Sequence, residues 1–522
     1  MNLKTGNEVE VLIDTLAFGG EGVGRIQIDE KAFTVFVEDV APGDRVLAQI
    51  TQRKRNFARG FVKKILEPSA LRIEPRCRHF GTSFTADGQP DLGKNCGGCT
   101  LQFVNYDQQL RFKEQQVRDA ILRIGGVKDD LVLPIIGPAD PWFYRNKMEF
   151  SFQVDSRAET YAHGHAAMRT KFELGLHLRG RHYDVTRLEE CFLMAPYVGE
   201  LVSSASKFFQ KLLIEGTLPD MDSQKNSGFK LCSLTIREGK NTGERMLILT
   251  AENFAMEKWP DSAGGLLGEI SCDFLRDFQK WACDFFAGKK LALDSLYFIN
   301  VRNQTGRPKT STEHLLYGKP TILEELRAGT DAGARGQAHE HTPTRKLQFQ
   351  ISPTAFFQPN TRQAEILYAK ALEAAALTGT EIVYDLFCGT GTIGIFCARN
   401  AHRVYGIELN ASAIENARVN AALNSISNIE FLVGDVGKHL PKIADKPDVI
   451  IVDPPRGGLE PKVVEKTMTL NPRRIVYVSC NPATLARDIK LFGKNFRLIS
   501  VQPVDMFPQT YHIENVALLI AN

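Results

Sequence analysis

Two residues near the carboxyl end of the chain could do covalent and acid–base chemistry. Cys480 follows an apolar run in the sequence VSCNP, and Glu514 closes the sequence FPQTYHIE. A cysteine thiolate is a nucleophile when nearby donors or cations stabilise it, and a carboxylate can remove a proton. A cysteine that only packs in the core, or a carboxylate that only ends a strand, would fit the same positions. The spacing alone leaves both interpretations open.

A glycine-containing segment, 385–392 (DLFCGTGT), joins an apolar run to an apolar helical pattern. Its glycines, of which Gly389 is the first, let the backbone approach a ligand beyond the end of a strand. Glu408 follows about twenty residues later, at the end of the next apolar run, where a carboxylate can bind ribose hydroxyls. Asp435 follows the third run, within reach of an adenine edge. The spacing favours a nucleoside cofactor.

Nicotinamide dinucleotides are the main alternative to a methyl donor. Their fingerprint has a third glycine that packs the helix against the strand, and 385–392 departs from it. The fourth apolar run leads into 453–456 (DPPR), a rigid turn that presents polar groups to the reacting end of the cofactor, as in methyltransferases that act on nucleobases. We therefore expect S-adenosylmethionine as cofactor.

The chemistry of a pyrimidine base gives Cys480 and Glu514 a role. C5 of uracil is too weak a nucleophile to attack a methylsulfonium unaided, so an enzyme must first add a nucleophile at C6. A thiolate suits this addition, and a base must later remove the C5 proton so that the thiol can leave. Methyl transfer to a uracil ring therefore favours a catalytic Cys480 and selects Glu514 as the candidate base.

The elements that position these residues form a regular pattern after residue 361. Strand-like runs at 382–386, 403–407, 429–433, 449–452 and 475–478 alternate with helical patterns. This alternation predicts a parallel sheet with helices on both faces and the candidate residues at its carboxyl edge. A last run at 516–520 is expected to close the sheet edge as an antiparallel strand.

The N-terminal segment predicts a small β-barrel. Residues 7–65 alternate apolar and polar positions between glycine-rich turns, a pattern typical of such barrels. The end of this segment and the residues after it carry a series of cations: Arg53, Lys54, Arg55, Arg59, Lys63, Lys64, Arg72, Arg76 and Arg78. These cations could neutralise RNA phosphates, or they could simply keep an edge strand soluble.

The central residues, 66–355, mix strand-like runs at 148–154, 174–178, 231–236 and 246–250 with an amphipathic stretch at 274–286. This mixture is typical of an α+β domain, and 328–344 is expected to be a surface loop.

A length of 522 residues predicts several domains, while a net charge of +3 does not reveal the partner. Neither a signal-peptide pattern nor a membrane-length apolar run occurs, so we expect a cytoplasmic protein without a membrane partner.

Four cysteines could form a metal centre. Cys96 and Cys99 form a tight pair in CGGC, with Cys77 upstream and Cys191 far downstream. Four thiolates can hold a zinc ion or an iron–sulfur cluster. The spacing does not choose between these ligands, and four unligated core cysteines are a third interpretation.

The segments 479–482 (SCNP), 453–456 (DPPR), 385–389 (DLFCG) and 507–514 (FPQTYHIE) together resemble the RNA 5-methyluridine (uracil-C5) methyltransferase family. The resemblance covers nearly the whole chain. It implies an α/β, class I Rossmann-like methyltransferase domain over 356–522 and a central α+β domain over 66–355. The turn 19–25 (GGEGVGR) together with 42–44 (PGD) resembles the TRAM RNA-binding β-barrel, which implies a barrel of OB-like type over 1–65.

The same resemblance implies roles for individual residues. Cys480 would be the nucleophile and Glu514 the proton-abstracting base. The residues expected at the S-adenosylmethionine site are Gln358, Phe387, Gly389, Thr392, Glu408, Asp435 and Asp453, of which Gly389 and Asp435 rest on spacing. Asp453 would also bind the target uracil, and Phe356 would stack on a base. Thr392 stands where the family often has a polar amide.

The cysteine pair followed by Leu101 and Gln102 resembles the iron–sulfur site of the ribosomal members of the family. That likeness implies a 4Fe-4S cluster whose ligands would be Cys77, Cys96, Cys99 and Cys191, although the family usually has a shorter gap between the first two cysteines. Barrel and cluster together point to 23S ribosomal RNA as the partner. Access to C5 and C6 requires an unstacked uridine.

Other functions share part of this pattern. A transfer-RNA uridine-C5 methyltransferase would use the same residues. A cytosine-C5 RNA methyltransferase normally has a Pro-Cys pair after the fourth-strand aspartate, whereas here Arg456 follows Pro455. An adenine amino methyltransferase would need no cysteine, and a protein that only binds RNA would show no turnover. We expect a monomer with no DNA partner.

Overall fold

The structure is a computed structural model that describes residues 3–28, 31–81, 95–160, 166–180, 183–218, 229–254, 272–303, 306–328 and 345–522. The loop expected at 328–344 lies outside these residues apart from Ala328. Within the described ranges, no helix is long and apolar enough to cross a membrane.

The predicted N-terminal barrel is confirmed. Its strands are β1 (Glu8–Leu16), β2 (Gly22–Ile28), β3 (Lys31–Glu38), β4 (Arg45–Arg53) and β5 (Phe57–Glu67). They close in the order β1-β2-β3-β5-β4. Alternate positions, including Val11, Val35 and Val46, fill the barrel interior, as the period of two along a strand requires.

A six-stranded sheet forms the middle of the chain in the order β11-β10-β9-β8-β6-β7. Its strands are β6 (Lys147–Thr160), β7 (Ala166–Gly175), β8 (Lys230–Glu238), β9 (Arg245–Glu252), β10 (Ser295–Arg302) and β11 (Thr310–Gly318). Two helices, α2 (Val198–Ile214) and α3 (Cys272–Gly288), share its aromatic core. The helix predicted at 274–286 is thus confirmed. The strand predicted at 174–178 ends at Gly175, because Leu178 forms an isolated bridge with Cys96 instead.

The C-terminal sheet has seven strands in the order β16-β15-β14-β17-β18-β20-β19. These are β14 (Ile382–Leu386), β15 (Arg403–Glu408), β16 (Ile429–Val433), β17 (Val449–Val452), β18 (Arg474–Ser479), β19 (Phe496–Val504) and β20 (Glu514–Ala521). The helices of this region are α4 (Thr361–Ala375), α5 (Thr392–Ala398), α6 (Ala411–Leu423), α7 (Val436–His439), α8 (Pro461–Leu470) and α9 (Pro482–Phe492). The predicted parallel strands are confirmed, and the last strand is antiparallel as expected.

The predicted position of that last strand was wrong. β20 lies between β18 and β19 rather than at the edge of the sheet. The sequence did not reveal β19, which pairs with the outer side of β20. The burial of Val516, Ala517 and Leu519 is that of an interior strand.

Two parts of the middle of the chain pack against the C-terminal sheet. Helix α1 (Tyr106–Arg123) contacts α9, and Val117 and Ile121 join the core of that sheet. The hairpin of β12 (Ile322–Ala328) and β13 (Arg345–Ile351) packs on the opposite side, against α4 and α6. The two segments bracket the sheet edge that carries the candidate site. The domain boundaries proposed at 65 and 355 stay predictions.

Candidate active site

The register between β18 and β20 brings Cys480 and Glu514 together. Ser479 pairs with Asn515, whose side-chain amide donates to the Ser479 carbonyl at 3.1 Å. Because the strands are antiparallel, Cys480 and Glu514 are the next residues of the two strands at the same edge. Cys480 is half-buried and Glu514 is 5% exposed. A nucleophile and a base therefore face one small volume.

The turn after β18 is fixed by its own side chains. Asn481 caps α9, its side-chain oxygen accepting from the Ala483 N–H at 3.0 Å, and Pro482 occupies the first helical position. The Asn481 amide donates to the Arg456 carbonyl at 3.3 Å. The sequence SCNP thus holds Cys480 on a rigid strand-to-helix turn and ties it to the DPPR turn.

Acidic groups dominate the electrostatics around the thiol. Burial, followed by the charges of Glu514 and Asp453, raises the pKa of Cys480 to about 11. Burial also raises the pKa of Asp453 to about 7 and that of Glu514 well above its usual range. The charge of Arg456 acts in the opposite direction and lowers the pKa of both Cys480 and Glu514. Without ligands, the site holds a neutral thiol at neutral pH.

The glycine loop between β14 and α5 has the conformation that its sequence requires. Gly389 and Gly391 adopt φ values of 53° and 77°, and Phe387 adopts 63°. A Cβ on Gly391 would lie 2.6 Å from Phe431, whereas a Cβ on Gly389 would meet nothing within 4 Å. The backbone at Gly389 therefore faces open space, as a cradle for a ligand requires.

Two carboxylates hold this loop. Glu408 accepts the N–H groups of Gly389 at 3.3 Å and Asn410 at 2.8 Å. Asp385, fully buried, accepts the Gly394 N–H at 2.8 Å through Oδ2, while its Oδ1 has no hydrogen-bond partner. Burial, together with the charges of Asp453 and Glu408, raises the pKa of Asp385 to about 7. Asp385 thus keeps one buried oxygen without a hydrogen-bond partner beneath the loop.

The remaining predicted cofactor residues lie along the same edge. The segment 352–360 covers the glycine loop, because the Phe356 carbonyl accepts from the Thr390 hydroxyl at 3.4 Å. Gln358, within this segment, and Thr392, at the start of α5, are both buried. Asp435 lies farther out, after the edge strand β16, where it caps α7 through the Lys438 N–H at 3.0 Å. The predicted cofactor residues therefore lie at the carboxyl edge of the C-terminal sheet or in the segment that contacts it, with Asp435 farthest out.

The four cysteines of the candidate metal centre line one cavity beneath the CGGC turn, together with Phe80, Gln102 and Leu193. Their pKa values are all raised, chiefly by burial. The Gly98 N–H donates to the Cys96 sulfur at 3.5 Å. Among the residues that the structure describes, no three His, Cys, Asp or Glu side chains could hold a single metal ion. The four sulfurs share a cavity but do not converge on one point.

The cations after the barrel fall into two groups. Arg72 binds both carboxylate oxygens of Asp44 and so ties the barrel to the next segment, and Arg78 pairs with Glu189 and Glu190. Both arginines thus form ion pairs with carboxylates of the protein. The other predicted cations that are exposed and form no ion pair with a carboxylate of the described residues are Arg53, Lys54, Arg55, Lys64 and Arg76. Four of these five lie on β4, β5 and the turn between them.

Known proteins match both ends of this chain. A TRAM domain model matches residues 2–63, and a methyltransferase domain model matches residues 378–515. A protein of Clostridium acetobutylicum named an uncharacterized RNA methyltransferase is 34% identical over 528 residues, covering 99% of this chain and 98% of its own. One of the same description from Porphyromonas gingivalis is 36% identical over 517 residues, covering 96% and 98%. The chain belongs to the RNA methyltransferases.

The methyltransferase also resembles a solved structure along its whole length. The tRNA (uracil-54, C5)-methyltransferase of Pyrococcus abyssi, in complex with S-adenosyl-L-homocysteine, is 25% identical with a TM-score of 0.62. The match covers 98% of this chain and 100% of the Pyrococcus chain. The methyltransferase therefore depends on S-adenosylmethionine, as its sequence indicated.

Sequence reasoning missed some residues that this methyltransferase places at the site. Tyr368 on α4 is 4% exposed and lies near Asp453, Glu514 and Asp385, whose charges raise its pKa in addition to burial. An amphipathic helix gives no sign that one of its core positions lies beneath a site. Asp385 is the first residue of the segment 385–392, and a charged residue within the apolar run 382–386 could have indicated its role.

Proposed function

We propose that this RNA methyltransferase transfers the methyl group to C5 of a uridine. The pairing of Cys480 with Glu514, at the edge that carries the cofactor loop, is the observation that carries the proposal. Methylation of an amino group or a ribose hydroxyl needs no thiol, whereas C5 of a pyrimidine requires a nucleophile at C6. A solved structure that resembles 98% of this chain is named a tRNA (uracil-54, C5)-methyltransferase.

Cys480 and Glu514 act in sequence on the ring. The Cys480 thiol gives up its proton to solvent, and the thiolate bonds to C6, which moves an electron pair onto the ring and makes C5 nucleophilic. Bound S-adenosylmethionine would supply the methyl group to C5 and leave as S-adenosylhomocysteine, and its sulfonium would place a positive charge in an acidic pocket. Glu514 then takes the C5 proton, the C5=C6 double bond re-forms, and the C6–S bond breaks. Glu514 is suited to this step because a carboxylate with a raised pKa is a stronger base.

The cofactor is held by residues of the crevice already described. Open space at Gly389 and the unpartnered Oδ1 of Asp385 fit a nucleoside with a cationic centre. Glu408 can bind the ribose hydroxyls. The residues that complete this proposed site are Gln358, Phe387, Thr392, Asp435 and Asp453.

The proposed target is 23S ribosomal RNA. The TRAM barrel and the cysteine cavity occur together here, the combination in which the chain resembles ribosomal members of the family. A transfer-RNA uridine is the second candidate, because the Pyrococcus enzyme modifies tRNA. A cytosine target is less suited, because Arg456 stands where a second cysteine would be expected. The cytoplasmic location and the monomeric state stay predictions.

We also propose that the four cysteines bind a 4Fe-4S cluster. The four cysteines line one cavity, and in such a cluster each thiolate binds a different iron. Burial raises the pKa of Cys77 and Cys191, while hydrogen bonds from nearby backbone N–H groups act in the opposite direction and would stabilise bound thiolates.

The assay uses purified protein, S-adenosylmethionine labelled in its methyl group, and separate pools of 23S, 16S and transfer RNA from a strain lacking the gene. Digestion and mass spectrometry should find label in 5-methyluridine from 23S RNA. Label in 5-methyluridine from transfer RNA alone would show that transfer RNA is the target, and the proposed chemistry would still hold. Label in 5-methylcytidine or in a methylated adenine would overturn the proposal.

A further inference from the structure

Two cations face each other across neighbouring strands of the central sheet, next to the candidate active site. Lys147 on β6 pairs directly with Arg237 on β8, which places the two side chains on the same face of the sheet. Like charges directly opposite each other destabilise a sheet. Such a pair is unexpected unless another group lies between the two cations.

Arg237 is a buried cation with little to neutralise it. It is 4% exposed, and its Nη2 donates a hydrogen bond to the Ala355 carbonyl at 2.6 Å. Its Nε has no hydrogen-bond partner. No carboxylate among the described residues lies within ion-pair distance of this guanidinium, although Glu149 and Glu313 are close enough to raise its pKa against the stronger effect of burial.

Lys147 reaches the solvent side of the pair. Its side chain is 39% exposed, and its nearest carboxylate, Glu149, lies 3.9 Å away and is itself mostly exposed. Burial and the charge of Arg237 lower the pKa of Lys147. Glu313 is already occupied by the Thr354 hydroxyl at 2.7 Å. Neither Glu149 nor Glu313 forms an ion pair with the Arg237 guanidinium, so this buried charge has no direct counter-ion among the described residues.

The position of the pair indicates which anion would fit. Arg237 holds the carbonyl of Ala355, and the next residue, Phe356, is 65% exposed although it is a large aromatic side chain. The Phe356 carbonyl contacts the glycine loop through Thr390. An exposed ring at the mouth of a site that accepts a nucleobase is a stacking surface, and each nucleotide brings one phosphate with its base.

We propose that Lys147 and Arg237 form an anion site that binds a backbone phosphate of the RNA substrate next to the nucleotide that enters the active site. The guanidinium can present two N–H groups to phosphate oxygens, and the ammonium adds a point charge. The phosphate would relieve the repulsion between the cations and satisfy the free Nε. This inference rests on RNA being the substrate, but not on which atom is methylated.

The test separates RNA binding from cofactor binding and from folding. Variants Lys147→Gln and Arg237→Gln of the full chain are compared with Lys230→Gln, which removes an exposed lysine at the far end of β8. The probe is a short fluorescein-labelled oligouridine, titrated by fluorescence anisotropy over a range of salt concentrations. S-adenosylmethionine affinity and the unfolding temperature are measured on the same samples.

Lys147→Gln should bind the RNA several-fold more weakly. The slope of log affinity against log salt concentration should become smaller in magnitude by about 0.7, which is the contribution of one neutralised phosphate on single-stranded RNA. Its unfolding temperature should not fall, because a like-charge contact has been removed. Arg237→Gln should show the same loss of slope, and Lys230→Gln should show none. If Arg237→Gln does not fold, the salt dependence of Lys147→Gln alone decides whether the proposal stands.

An unchanged RNA slope in folded Lys147→Gln would overturn the proposal. Weaker S-adenosylmethionine binding with unchanged RNA binding would also overturn it, and would assign the cations to the carboxylate of the cofactor. Because no turnover is measured, a wrong assignment of the methylated atom would leave these results unaffected.

Discussion

Gln109 on α1 and Gln509 in the loop before β20 exchange two hydrogen bonds in the buried core. The Gln109 amide donates to the Gln509 side-chain oxygen at 2.9 Å, and the Gln509 N–H donates to the Gln109 side-chain oxygen at 3.2 Å. The Gln509 carbonyl accepts the N–H groups of Thr100 and Leu101, directly after the CGGC turn. Gln509 itself adopts a φ of 68°, a conformation that needs such support. This contact joins the cysteine cavity to the loop that delivers Glu514.

Gln109→Ala should therefore lower both stability and activity. The change leaves the Gln509 side chain and the Leu101 and Val104 carbonyls without their buried donor, at a cost of about 1–3 kcal/mol. The loop before Glu514 should relax, so that proton removal slows more than RNA binding weakens. Thermal unfolding and single-turnover methylation measure the two effects. Gln115→Ala, exposed on the same helix, is the control, and equal behaviour of the two variants would contradict the role.

Cys480→Ala should abolish methylation and leave RNA binding nearly unchanged. The thiol is half-buried directly after β18, and Cys→Ala removes only its sulfur, so the change should remove the covalent step with little effect on the fold. Methyl transfer and RNA affinity are measured side by side. Cys232→Ala, on the central sheet, should keep full activity. Normal turnover in Cys480→Ala would remove the basis of the proposed chemistry.

Glu514→Gln should accumulate a covalent complex between enzyme and methylated RNA. The amide cannot take the C5 proton, so the C6–S bond to Cys480 cannot break. A slow band on a denaturing gel, carrying label from S-adenosylmethionine and absent in Cys480→Ala, would report it. A variant that is inactive but forms no such band would indicate a different base.

Asp385→Asn should make the protein more stable at high pH. Burial raises the folded-state pKa of Asp385 from 3.8 to about 7, so the folded chain holds this proton more tightly than the unfolded chain does. The native protein therefore loses stability as pH rises from about 4 through about 7, and at higher pH the buried charge costs on the order of 4 kcal/mol. Asparagine carries no charge there.

Chemical unfolding of wild type and Asp385→Asn at several pH values checks this expectation. The two curves should separate above about pH 5, with the variant more stable. Asp435→Asn replaces an exposed carboxylate on the same sheet edge and keeps the helix cap, since asparagine caps as well as aspartate. If Asp435→Asn differs from wild type in its free energy of unfolding by the same amount, the change in net charge, and not the buried Asp385, is responsible.

Protein purified without oxygen should be brown and absorb visible light if the cysteine cavity holds a 4Fe-4S cluster. Replacing Cys96 and Cys99 together by serine should remove the colour and the bound iron. Cys232→Ser lies outside the cavity and should keep both. Colourless wild-type protein with one zinc per chain would contradict the proposal and would require the sulfurs to move together.

Local pattern determined much of the fold of this protein. Apolar runs with a period of two predicted the barrel, and strict strand–helix alternation predicted the parallel sheet with its functional edge. Cys480, Glu408 and the glycine loop follow from the same reasoning, because the carboxyl ends of parallel strands meet at one edge. Strand β19 was not predicted from the sequence, because Pro503 and the polar positions within Phe496–Val504 interrupt its apolar pattern.

Only the tertiary structure decided which distant residues meet. Glu514 faces Cys480 because β20 inserts antiparallel beside β18, and no local spacing encodes that pairing. Gln109 and Lys147 reach the site from elements far away in the chain. Sequence patterns report whether a residue is buried on its own strand or helix, whereas the hydrogen bonds and charges that give it a function come from segments packed against it.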